Sequence, residues 1–178
     1  MQRLLPVTIL VLGLIQLGLL LVIGLSPAPE NATSLAHASF SGMRIGGDGA
    51  ARLEPVAGAA FVFQLVVLAQ ICCLVALGVG KHRHSGSFHV LLVLAFLVAA
   101  GVWYGLFSAY ETFLETGTTA YFLGFPVATA WQVYAIWLSG LVLVGTYVFG
   151  FTRFIWSEED ETRFQTLVTR ARTGGGDN

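Results

Sequence analysis

The chain has 178 residues, 56% of them apolar and 11% charged, with a formal net charge of −1. Ordinary soluble domains carry about 25% charged residues, and a chain this apolar would present aggregating patches to water. Near-neutrality also excludes strong nucleic-acid steering and a polybasic membrane-binding tail.

Four stretches, Leu4–Leu25, Pro55–Gly80, Val90–Tyr110 and Thr116–Thr152, contain no Asp, Glu, Lys, Arg or His. A hydrocarbon core about 30 Å thick needs roughly 20 apolar residues in helical form. The expected fold class is therefore an all-α membrane protein, an antiparallel bundle of four transmembrane helices occupying 1–156. Its spans fall at 4–25, 56–80, 88–112 and 127–152, with an outer connection over 26–55. A short cytoplasmic amphipathic helix and a flexible tail follow over 157–178.

The first stretch, after Met1–Arg3, competes with a signal peptide, and Ala36-His37-Ala38 imitates a cleavage site. Its 22 residues exceed the roughly 7–15 of a signal core, and it reads as a retained first helix. With the amino terminus inside, the inner side holds Arg3, Lys81, Arg83, Arg153, Arg163, Arg170 and Arg172; the outer side holds Arg44 and Arg52. This positive-inside asymmetry predicts cytoplasmic termini in a multi-pass bacterial inner-membrane protein.

The outer connection is rich in Ala, Ser and Gly and is long for a loop, a feature of functional or mobile segments. His37, Phe40, Met43 and Ile45 offer it a small packed patch, and Asn31-Ala32-Thr33 matches a short glycosylation sequon. In the second span, adjacent Cys72 and Cys73 point about 100° apart on a helix and read as small apolar residues, not a disulfide. Gln16 and Gln70 lie near the midpoints of spans one and two. Amides in hydrocarbon need partners, which predicts a Gln16–Gln70 hydrogen bond.

Lys81-His82-Arg83-His84-Ser85-Gly86-Ser87 is a tight basic link whose histidines, beside cations and without companion ligands, read as solvated. Span three carries Gly101-x-x-x-Gly105 with Ser108 on the same side, a pattern that lets another helix approach closely. The helix runs on from Phe88 to Gly117, longer than the bilayer core requires. Its end carries Glu111 and Glu115, one turn apart, as interfacial carboxylates or an acidic rim that meets a partner or a cation.

Tyr121–Pro126 reads as an aromatic hairpin that dips back toward the bilayer, with Pro126 in the first turn of span four. On that span Ala128, Gln132, Ala135, Ser139, Thr146 and Gly150 fall on one helical stripe, as do Ala69, Cys73, Ala76 and Gly80 on span two. Such stripes pack a protein's own helices or face a second protein. Trp103, Trp131, Trp137 and Trp156 suit the interfacial belts. In the tail, Ser157 precedes Glu158, Glu159 and Asp160, an N-cap with acids at the positive helix end. Phe164, Leu167, Val168 and Ala171 then form an apolar docking face at i, i+3, i+4 and i+7.

Constellations for chemistry are missing. His37, His82, His84 and His89 lie in loops or at a helix end, away from the facing spans where haem ligation needs them. There is no Cys-x-x-Cys, His-Glu-x-x-His, Gly-x-Ser-x-Gly or phosphate-cradling loop. The uncharged stretches also lack the ionisable groups of ion-coupled transport. The expectation is a non-enzymatic chain with no cofactor and no metal.

Tyr121-Phe122-Leu123-Gly124-Phe125-Pro126, then Trp131 and Tyr134, and the tail Phe151–Glu161 resemble the small membrane subunits encoded beside bacterial sodium/solute symporters. Those share an aromatic Gly-x-Pro entry to the last helix and a charged cytoplasmic tail. The resemblance covers about a third of the chain, which departs from the two-helix members by its four spans and long outer loop. It implies an accessory subunit, with the transport residues on the large partner.

The expected role is thus a non-catalytic accessory or assembly subunit of a larger membrane transporter. Docking would use the small-residue stripes in the bilayer and the tail helix. One rival is a self-associating four-helix module that encloses a lipid or small-molecule site lined by Gln64, Gln70 and the span-three aromatics. The other is a structural subunit of a redox complex whose cofactor sits on another chain.

Overall fold

A computed structural model describes residues 4–29, 34–47, 49–79 and 86–174, the side chains of 152 and 153 excepted. Arg3, the sequon at 31–33, the basic link at 81–85 and the tail residues 175–178 lie outside the described residues. Four helices are long and apolar enough to cross a membrane: Leu4–Leu25, Ala57–Gly78, Gly86–Thr116 and Val127–Gly150.

We label them α1 (Leu4–Leu25), α3 (Ala57–Gly78), α4 (Gly86–Thr116), and, for the last span, α5 (Val127–Ala130), a π-helical turn (Trp131–Ala135) and α6 (Ile136–Gly150). The short α2 (Gly49–Leu53) precedes α3, and α7 (Glu158–Gly174) follows a second π-helical turn at Phe151–Ile155. Local chemistry sets the ends. Pro6 sits in the first turn of α1, where its missing N–H costs nothing. Gly117, at φ +66°, takes the left-handed conformation that stops α4, and its N–H bonds the Phe113 carbonyl at 2.9 Å.

The spans pack in the order α1 on α3, α3 on α4, and α4 on α5 and α6. Their directions alternate. Ile23 near the end of α1, Ala57–Gln64 at the start of α3 and Trp103–Tyr110 late in α4 surround one cavity. Val75 and Val79 after the middle of α3, Phe88 at the start of α4 and Leu143–Ile155 surround another at the opposite end.

That opposite end is where the bundle is tightest. Ala76, Val79, Phe88, Leu92 and Phe154 form the buried cluster, with Leu5, Val75, Leu91, Leu143 and Ile155 packed against it. Residues from every span therefore meet there. Phe88 is 2% exposed, and its ring lies 5.4 Å from that of Phe154. Gly150 makes room for Phe154: a Cβ on it would stand 2.6 Å from the ring. Elsewhere the helices keep long Leu, Val and Phe side chains outward, and α1 has no buried residue. Lipid tails are as apolar as those side chains, so packing has no water-driven reason to hide them.

The 26–55 connection contains more order than its composition suggests. β1 (Ser34–Ala36) and β2 (Arg44–Gly46) pair antiparallel, with Leu35 opposite Ile45. His37 Nδ1 accepts the backbone N–H of Ser39 at 3.0 Å and of Phe40 at 3.2 Å, and its ring contacts that of Phe40. The expected patch is only partly packed, since Phe40, Met43 and Ile45 stay exposed. Three-residue strands are too short to leave a readable alternation.

α7 starts on a reciprocal cap. The Ser157 N–H donates to Asp160 Oδ2 at 3.1 Å while the Asp160 N–H reaches Ser157 Oγ at 3.4 Å.

Phe88→Ala tests the closed end. In lipid the transfer term largely drops out and the cavity term remains, so the expected loss is about 2 kcal/mol. A clear fall in thermal stability of the detergent-solubilised protein, absent for exposed Val90→Ala, is the predicted result.

Candidate functional site

Tyr121–Pro126, Trp131 and Tyr134 converge on one unit at the start of the last span. β3 (Tyr121–Phe122) and β4 (Phe125–Pro126) form a two-residue hairpin, Phe122 opposite Phe125. Its turn residues Leu123 and Gly124 have φ +48° and +86°, the positive values that a tight hairpin turn demands. For Gly124 this conformation is free of strain. For Leu123 it is strained, and such strain persists only where neighbours hold it.

Tyr134 is that neighbour. Its ring stands edge-on to Phe122 and Phe125, with centroids 6.2 and 6.0 Å away, and its hydroxyl donates to the Leu123 carbonyl at 3.5 Å. The Val127 N–H closes the hairpin onto the Ala120 carbonyl at 3.0 Å. Beside Tyr134, Phe122, Val127, Ala130, Trp131, Ala135 and Leu138 line an apolar groove of about 390 Å³.

Trp131 anchors the unit to α4. A Cβ at Gly105 would lie 2.8 Å from the Trp131 ring, so glycine is what admits the indole. Gly101, the other half of the Gly-x-x-x-Gly, faces open space: nothing lies within 4 Å of its would-be Cβ. The two glycines thus serve different neighbours. Gly105 is used within the bundle, and Gly101 remains available on the surface.

The stripe on the last span is rotated by the π-helical turn at Trp131–Ala135. A turn of this kind inserts an extra residue and shifts every later side chain relative to a 3.6-residue repeat. Gln132, within the turn, stands exposed, whereas Ala135, Ser139 and Thr146 are half-buried and Gly150 is buried. The hydroxyls of Ser139 and Thr146 bond carbonyls of their own helix, Ile136 at 2.7 Å and Val142 at 2.8 Å. Ser108 is half-buried, and its carbonyl accepts from Thr112 Oγ1. Glu111 and Glu115 are both exposed on the last turns of α4.

The expected Gln16–Gln70 bond requires correction. Gln70 Oε1 is buried without a hydrogen-bond partner, so it accepts nothing from Gln16. Equal depth on neighbouring helices does not decide which face each amide occupies. The cysteines are free and half-buried; Cys72 Sγ lies 3.8 Å from the Leu92 carbonyl as a weak donor.

At the far end, Trp156 ties the start of α7 to the last span. Trp156 Nε1 donates to Glu161 Oε2 at 2.9 Å, and Gln165 Nε2 donates to Glu161 Oε1 at 2.8 Å. The Trp156 ring also meets Phe164 edge-on at 6.1 Å. Along α7, Phe164 and Leu167 are exposed at 49% and 63%, and Val168 is half-buried.

Two outcomes follow. Gly105→Leu should displace Trp131 and cost about 1–3 kcal/mol of stability by overpacking, while Gly101→Leu leaves melting in detergent unchanged. Secondly, the Gln165 bond and then the Trp156 bond hold the Glu161 carboxyl below its ordinary value of 4.5. A lowered value means the contact is complete above the ordinary range and is lost as pH falls through the lowered one. The Trp156 indole N–H resonance should therefore stay fixed down to pH 4.5 and shift only below it; movement centred above that point would contradict the contact. No family model matches the chain, and no curated protein and no solved structure is similar to it.

Proposed function

We propose that this protein is a non-catalytic accessory or assembly subunit of a larger integral membrane transporter. The observation that carries the reading is Gln132. It is exposed on a membrane-length helix, about 8 Å along the axis from the helix start at Val127. An amide turned toward hydrocarbon is unfavourable, and amides in spans commonly serve as glue between helices. Its π-helical turn, a feature frequent at functional sites, aims it away from its own bundle. Gly101, open on α4, supplies a second place for close helix approach.

The partner class comes from the resemblance of the hairpin, Trp131, Tyr134 and the 151–161 tail to small subunits of bacterial sodium/solute symporters. In this reading both termini face the cytoplasm of the inner membrane, in keeping with the distribution of basic residues. The hairpin and the Glu111–Glu115 rim then stand at the outer surface. Phe164, Leu167 and Val168 give α7 an apolar face for the cytoplasmic side of the partner. Transport chemistry belongs to that partner.

The test is gentle purification of the tagged protein from its native membranes, with mass spectrometry of what accompanies it. A stoichiometric large transporter is expected. Gln132→Leu should weaken its retention about fivefold, the equivalent of one interhelical hydrogen bond near 1 kcal/mol. Recovery of the chain as a pure homo-oligomer would overturn the proposal.

A further inference from the structure

A second cavity, of about 350 Å³, lies away from the hairpin, between α1, α3 and α4. Its volume is in the range of about 300–1,000 Å³ typical of ligand-holding clefts. Ile23, Leu53 and Ala60 contribute to its apolar wall, as do Phe61 and Phe107, whose rings stack across α3 and α4 at 4.7 Å. No Asp, Glu, Lys or Arg lines it.

Three polar side chains interrupt this wall: Gln64, Trp103 and Tyr110. All are half-buried, and among the described residues none donates or accepts a side-chain hydrogen bond. Gln64 lies seven residues into α3 from Ala57, and Trp103 seven residues before Tyr110. At 1.5 Å per residue each interval is about 10 Å, so the cleft runs roughly that far along α3 and α4. Leu53 of this lining is preceded by Arg52, which is exposed in the last turn of α2 and has no ion pair among the described residues.

We infer that this cleft holds one phospholipid from the leaflet nearest the 26–55 connection. One acyl chain lies along the wall formed by Phe61, Leu106 and Phe107. Its ester carbonyl, an acceptor without a donor of its own, meets the Tyr110 hydroxyl. The anionic phosphate lies on Arg52. An apolar slot with donors partway down and a cation at the rim matches a phospholipid along its length. An apolar transmembrane helix of a partner brings no anion to Arg52. This site does not depend on the transporter partnership, because it is built from helices α1 to α4 of a single chain.

The experiment is native mass spectrometry of the full chain in detergent, titrated with 1-palmitoyl-2-oleoyl-phosphatidylglycerol. One tightly retained lipid per chain is expected, above the graded series of weaker adducts. Arg52→Gln, on the exposed surface, should weaken that single adduct about fivefold, as loss of one cation beside an anionic headgroup would. Ala60→Leu, which narrows the slot, should remove it. Circular dichroism of both variants checks that the helices persist. Equal retention by wild type, Arg52→Gln and Ala60→Leu would overturn the site, as would the absence of any single adduct. Neither result bears on whether a transporter co-purifies.

Discussion

The contact of Trp131 with Gly105 is the constraint on which the loop-side half of the protein depends. A glycine on α4 lets a whole indole lie against the helix backbone, and that sets how closely the last span approaches. With Trp131 turned inward, the π-helical turn presents its next residue, Gln132, outward. Tyr134 in the same turn is left to brace the hairpin, where it holds Leu123 in a backbone conformation that leucine avoids. Indole, amide and phenol thus take different directions around the turn. A larger side chain at position 105 would disturb all three together.

Lipid as solvent explains why so few side chains are buried. Burial inside this bundle gains close packing but little hydrophobic free energy, since the alternative is hydrocarbon. Close packing is therefore concentrated at one end, around Phe88 and Phe154, where two aromatic rings and a glycine interlock. Polar groups follow the opposite logic. Thr8, Ser139 and Thr146 bond carbonyls of their own helices and need nothing further. Gln70 Oε1 and Gln132 are not satisfied in that way. In a medium without water, such amides are costly.

The four membrane-length helices were legible from the uncharged stretches alone, and the helix ends agree to within a few residues. The break at Gly117 and the hairpin at Tyr121–Pro126 were also readable, because glycine and proline act locally. Facing was harder to read. The stripe from Gln132 to Gly150 assumed an unbroken 3.6-residue repeat, and no residue between Trp131 and Ala135 announces a π-helical turn. That turn coincides with the packing of Trp131 on Gly105, a contact between distant positions. The β1–β2 hairpin escaped for a different reason, since its register rests on three residue pairs and on His37 capping its own turn.

Helix α4 emerges as the shared wall of two unlike surfaces. Trp103, Leu106, Phe107 and Tyr110 recur at i, i+3, i+4 and i+7 and face the cleft beside α1 and α3. Gly105, two residues after Trp103, lies about 200° around the helix and faces Trp131. A chain seated in the cleft would press on one side of α4, while the other side sets the position of the last span. Filling the cleft would restrain α4 and, through Gly105, the turn that presents Gln132. The cleft and the Gln132 side are then joined through a single helix, without any direct contact between them. An empty cleft would leave α4 freer to tilt, and the amide at 132 would be presented over a wider range of directions.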